Sequence, residues 1–121
     1  MSEGGALKAL IGLRIAIGTA SWLTPRVAGK LFGLDAKANP QSPYLARLFG
    51  ARDIALGVGA ATTDGDARRL WLVAGLACDV ADAAAGAAGG LRGYLPKHTS
   101  VLVTGTALSA VALGAAALGD E

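Results

Sequence analysis

Residues 99–119 read TSVLVTGTALSAVALGAAALG, 21 residues in succession without a formal charge. About 20 consecutive apolar residues cross the hydrocarbon core of a bilayer as a helix. The run Val101-Leu102-Val103 is partly β-branched, yet a lone strand in lipid leaves its amides and carbonyls without partners, so the segment reads as helix. It also lacks the charged face that the edge helix of a water-soluble bundle needs. Composition agrees. Of 121 residues 53% are hydrophobic before 18 Gly are counted, 17% are charged and 5% aromatic, where a soluble domain carries about 25% charged residues.

Three more spans emerge on working back from this one. The first covers residues 6–23, broken only by Lys8 and Arg14. A cleaved signal peptide with Gly18 and Ala20 at its cleavage site is the competing reading, and Arg14 splits the apolar run such a peptide needs. Thr24-Pro25 follows, a capping residue before the one residue that fits a first helical turn without an amide hydrogen. It predicts a short amphipathic helix at 25–32, lying in the interface and stopped by Gly33. Ser42-Pro43 repeats the signal and opens the second span, 43–62. The turn Thr63-Asp64-Gly65-Asp66, with Asp66 as N-cap, opens the third span at 67–89. A loop from Gly90 to His98, broken by Pro96, leads to the fourth span, 98–118. The expected fold is all-α, an up-and-down four-helix transmembrane bundle with a short interfacial helix after its first span. Trp22, Trp71, Tyr44 and Tyr94 fall near span ends as interfacial anchors, and Arg47 is placed to snorkel.

The loops after the first and third spans hold Arg26, Lys30, Lys37, Arg92 and Lys97, against Lys8, Arg68 and Arg69 on the other side. That bias places both termini outside an inner or plasma membrane. Net charge is +2 with the basic residues scattered, so no nucleic-acid partner is indicated. One Cys (Cys78) and one His (His98) supply neither a disulfide framework nor a metal site. They read as a small buried residue and a loop residue, and no cofactor or metal is expected.

Five charges remain inside the spans. At 1.5 Å per residue, Arg14, Arg52, Asp53, Asp79 and Asp82 all fall about 12 to 16 Å from the same membrane face. Each such group costs about 2.5 to 3.5 kcal/mol at a span centre, and intramembrane charges mark pathways or reaction centres. On the third span Gly75, Asp79, Asp82, Gly86 and Gly90 form one stripe, with Gly86 and Gly90 a GxxxG pair that admits a neighbouring backbone. Thr104, Thr106 and Ser109 are neutral partners at the same depth. Two guanidiniums face three carboxylates, so the layer needs one more positive charge. A proton shared among Asp53, Asp79 and Asp82 supplies it, the Asp79 and Asp82 pair being the expected seat; a cationic ligand is the other remedy. The alternative is that the five merely pair and fix helix register.

The stretch Leu48-Phe49-Gly50-Ala51-Arg52-Asp53-Ile54-Ala55-Leu56-Gly57, preceded by Pro25-Arg26 and Leu31-Phe32-Gly33-Leu34-Asp35, resembles an uncharacterised family of small four-helix integral membrane proteins akin to the DoxX-like superfamily. The resemblance spans nearly the whole chain and is most specific at Gly50, Arg52 and Asp53. It implies a four-helix membrane fold in which these residues matter, and it carries no activity. Three functions fit the residues. One is an enzyme that opens an epoxide, isomerises or cyclises a small lipophilic substrate by acid-base chemistry; its Asp-Arg-Asp set is similar in residue type to that of limonene-type epoxide hydrolases. Another is a proton-coupled carrier of a small lipophilic cation, working as a homodimer. The third is an interaction subunit packing on a larger membrane partner through Gly and Ala faces.

Overall fold

A computed structural model describes residues 4–121. The chain is all-helical, with no strand among the described residues: α1 (Gly5–Leu23), α2 (Pro25–Leu31), α3 (Ser42–Thr62), α4 (Gly65–Arg92) and α5 (Lys97–Gly119). Three of these, α1, α4 and α5, are long and apolar enough to cross a membrane. At 21 residues α3 is long enough, but any 18-residue window of it contains Arg47, Arg52 and Asp53.

The helix ends follow the sequence with four corrections. Thr24 holds the N-cap position of α2 as expected, but its side chain makes no cap bond there; its hydroxyl and its amide both return to the Ala20 carbonyl, at 2.7 and 2.8 Å, and close α1. The carbonyls at a helix C-terminus are as short of partners as the amides at the next N-terminus. Ser42 lies inside the first turn of α3 with Gln41 at the cap position, which leaves the Ser42 hydroxyl without a hydrogen bond. Asp64, not Asp66, takes the cap position of α4, and Asp66 lies in the first turn, where a carboxylate suits the positive end of the helix dipole. Finally, α4 runs through Gly86, Gly89 and Gly90 to Arg92 and is stopped by Gly93 at φ +83°. This shortens the connection to residues 93–96 and brings His98 into the first turn of α5, against Gly33. Gly33 itself stops α2 at φ +85°, as expected.

The four long helices neighbour one another in the cyclic order α1, α3, α4, α5, so that α1 lies diagonal to α4 and α3 to α5. The closest seams are α1 with α3 and α4 with α5, and α2 folds back onto α3 and α1. Small residues make those seams possible. A Cβ on Gly18 would lie 2.8 Å from the Gly50 carbonyl oxygen, and one on Gly50 would lie 2.6 Å from that of Gly18. Between α4 and α5, Thr104 packs on Gly86 and Ser100 on Gly90, and the Ser100 hydroxyl donates to the Gly86 carbonyl at 2.7 Å. The expected GxxxG pair is therefore the α5-facing seam of α4.

Packing is uneven along the molecule. Ala6, Leu10, Ala60, Leu72, Ala110 and Ala117 form a compact core at the end remote from α2. Large side chains face outward instead: Leu31, Leu70, Leu91 and Val101 are all at least 70% exposed. An apolar exterior around an alanine interior inverts the usual soluble arrangement and suits lipid contact.

Bulk added at the α1 to α3 crossing should separate the helices. Gly50→Val and Gly18→Val are expected to lower the melting temperature in detergent sharply or abolish folding. Gly12→Ala and Gly105→Ala, where a Cβ meets nothing within 4 Å, should be neutral or gain about 0.5 to 1 kcal/mol from helix propensity. Circular-dichroism melts of the four variants check both halves of the expectation.

Candidate functional site

All five charges foreseen in the spans meet at one level. Arg14 on α1 reaches diagonally to Asp79 on α4, with Nη1 and Nη2 donating to Oδ1 and Oδ2 at 3.1 and 2.6 Å. Gly75, one turn before Asp79, makes the reach possible, because a Cβ there would lie 2.6 Å from Nη2. Arg52 on α3 makes the same fork to Asp82, donating at 3.1 and 2.5 Å, with its guanidinium 4.9 Å from the Phe49 ring centre. Planar guanidinium and carboxylate groups match in this bidentate geometry, which fixes orientation as well as energy.

The two pairs differ in environment. Side-chain exposure is 4% and 5% for Arg14 and Asp79, against 33% and 25% for Arg52 and Asp82. Asp53 stands apart from both. It is 5% exposed, its Oδ1 accepts no hydrogen bond, and its nearest cation is Arg14 Nη1 at 3.6 Å. The expectation that Asp79 and Asp82 share one proton meets a different arrangement, because each already grips a guanidinium of its own. The unmatched carboxylate is Asp53. Spacing alone could not show this, since the i, i+3 stripe of α4 turns Asp79 toward α1 and Asp82 toward α3.

Above the layer, on the side of α2, the helices part around a cavity of about 430 Å³. Arg14, Asp53, Asp79 and Asp82 lie at one end of its lining; Leu13, Ile17, Leu45, Phe49 and Val103 line its walls, and Ala28, Gly29, Phe32 and Tyr94 line the other end. A mostly apolar cleft of this size with a few converging polar groups is the usual form of a small-molecule site.

The threonines and serine of α5 divide. Thr106 lines the cavity. Thr104 packs on Gly86 with its hydroxyl unpartnered, outside the cavity lining. Ser109 is exposed and donates to the Gly105 carbonyl at 2.8 Å, so it takes no part; α5 turns it about 100° per residue away from the face that Thr106 and Ala110 present. Ser42 and Ser21, which also line the cavity, were missed. The Ser42-Pro43 capping signal accounted for that hydroxyl in the sequence, and only the earlier helix start sets it free. Arg47 lies outside the layer as expected, exposed over the Trp22 ring and donating from Nε to the Trp22 carbonyl at 3.1 Å. Cys78 is half-buried rather than buried, and no cluster of three metal-ligating side chains occurs among the described residues.

No family model matches the chain, and neither a curated protein nor a solved structure matches it.

Removing one partner of a buried ion pair costs about 3 to 5 kcal/mol, because the other charge is left uncompensated. Arg14→Ala should bear that full cost, since it strands Asp79 and Asp53 together. Arg52→Ala should lose less, its pair being partly exposed, and Arg47→Ala should lose least, within about 1 kcal/mol. Equilibrium unfolding in detergent checks the order, and a cost for Arg47 equal to that for Arg14 would contradict it.

Proposed function

We propose that this is an integral membrane protein, an up-and-down four-helix transmembrane bundle with α2 at the interface, that binds a small lipophilic molecule and acts on it by acid-base chemistry. The observation that carries this reading is the cavity. Its walls are apolar, and its inner end is lined by Asp53, a 95%-buried carboxylate whose Oδ1 accepts no hydrogen bond.

Membrane location rests on the apolar length of α1, α4 and α5 and on the exposed leucines and valines. For α3 as a fourth span, Arg52 is paired across to α4, Arg47 lies outside the layer over Trp22, and Asp53 stays 3.6 Å from Arg14 Nη1 as the one carboxylate of the layer without a fork. In this arrangement both termini lie outside an inner or plasma membrane, following the excess of Lys and Arg on the opposite side. The DoxX-like resemblance at Gly50, Arg52 and Asp53 belongs to the same reading.

The residues divide the chemistry among them. Arg14 fixes the Asp79 carboxylate through two hydrogen bonds, and Arg52 fixes Asp82 likewise. Asp53, held by neither fork, is the group free to take a proton from a bound molecule or give one to it. Opening of an epoxide by a water molecule or by a hydroxyl of the substrate itself, isomerisation and cyclisation all need such a proton-transferring group beside an apolar substrate.

Two measurements test this. The chain should fractionate with membranes and require detergent for release; recovery as a soluble monomer in buffer would remove the reading altogether. Purified protein should also carry a stoichiometric lipophilic molecule, seen by mass spectrometry of an organic extract. Ala85→Trp, at an exposed position on the cavity lining, should displace it while leaving the helical circular-dichroism spectrum unchanged. Equal recovery from both proteins would place the molecule elsewhere.

A further inference from the structure

The unmatched carboxylate states what its occupant must bring. Arg14 spends both terminal nitrogens on Asp79, and Arg52 spends both on Asp82. Neither donates a hydrogen bond to Asp53, whose Oδ1 is buried without a donor, 3.6 Å from Arg14 Nη1. Among the described residues no lysine, histidine or second arginine joins Arg14 in the cavity lining. Burying a third carboxylate beside two cations is costly in an apolar surround unless it takes up a proton or meets a cation that brings both a charge and a hydrogen to donate.

We infer that the ligand is a lipophilic amine, bound as its ammonium ion with an N–H directed at Asp53 and its apolar body lying along the cavity. This rests on the small-molecule reading above and names the class of molecule. A donor is required as well as a charge, so primary to tertiary amines fit better than a quaternary ammonium group. The body has room to be an alkyl or arylalkyl chain. Ser42 lines the cavity eleven residues before Asp53 on α3, which sets the two about 16 Å apart along the helix axis. Between them the walls are Leu13, Ile17, Leu45 and Phe49, with no other acidic group than the layer itself. An anionic molecule would add to the uncompensated charge, and a neutral alcohol could donate to the Asp53 carboxylate but would leave its charge unmet.

The probes are four molecules with one chain and different heads: decylamine, decyltrimethylammonium, decanol and decanoate. Each is titrated into the protein in nanodiscs of zwitterionic lipid, and binding is read by native mass spectrometry. Decylamine should bind tightest, decyltrimethylammonium and decanol less well, and decanoate not at all. Asp53→Asn should weaken decylamine by at least about thirtyfold, the cost of removing one member of a buried charge pair, and leave decanol unchanged. The amine inference is overturned if decanol or decanoate binds the unmodified protein as well as decylamine does, a comparison that needs no variant to fold. It is also overturned if Asp53→Asn binds decylamine undiminished. Ala85→Trp separates the two levels: decanol and decylamine both insensitive to it would overturn the cavity reading itself, whereas loss of both with no preference for the amine would overturn only the ligand class.

Discussion

The Arg14 to Asp79 fork joins two helices that nowhere approach each other closely along their backbones. Because α1 and α4 stand diagonally, the guanidinium must cross the middle of the molecule to reach its carboxylate. The two close seams, α1 with α3 and α4 with α5, are held by glycine contacts, and each could form without the other. What holds one pair against the other at mid-height is charge: Arg14 to Asp79, Arg52 to Asp82, and Arg14 beside Asp53. In a low-dielectric interior such bridges are strong only when geometry is good and every hydrogen finds an acceptor. Both forks meet the geometric condition, and Gly75 is the residue that lets the more buried one form.

From that layer the molecule divides into a packed end and a hollow end. Below it alanines and leucines close the interior. Above it the same helices carry Leu13, Ile17, Phe49 and Val103 around open space, with α2 and the 93–96 connection at the far side. A charged layer is too costly to leave against lipid and too polar to pack against alanine. Placed as the inner wall of a cavity, it has room beside it for a molecule with polar groups of its own, the neighbour that the proposed function supplies. This is the physical link between the fold and the proposed function.

The layer also gives identical residue types different surroundings. Asp79 and Asp82 are consumed by their arginines, and substituting either breaks a bridge. Asp53 has the same side chain and nearly the same depth, yet no hydrogen bond engages its Oδ1. Register fixing, the alternative explanation for buried charges, accounts for four of the five residues through hydrogen-bonded forks and for Asp53 only through its 3.6 Å approach to Arg14.

The sequence by itself determined the helices and the depth of the charges. The uncharged run 99–119, Pro25 and Pro43 in first turns and the Gly33 stop placed the elements nearly where they are, because local chemistry dominates where a chain begins and ends its helices. The common level of Arg14, Arg52, Asp53, Asp79 and Asp82 followed from helical rise alone. Fine capping did not: Thr24, Ser42 and Asp66 each had two local uses, and only the geometry of the chain reversal chose between them. Nor could rise and periodicity assign partners. Which carboxylate meets which guanidinium depends on the cyclic order of the helices and on a diagonal reach over Gly75, a matter of rotation about each axis that one-dimensional spacing leaves open. Ser109 shared the depth of Thr106 but not its face for the same reason. The cavity belongs wholly to the tertiary structure, since empty space is a property of how the helices diverge and no residue encodes it alone.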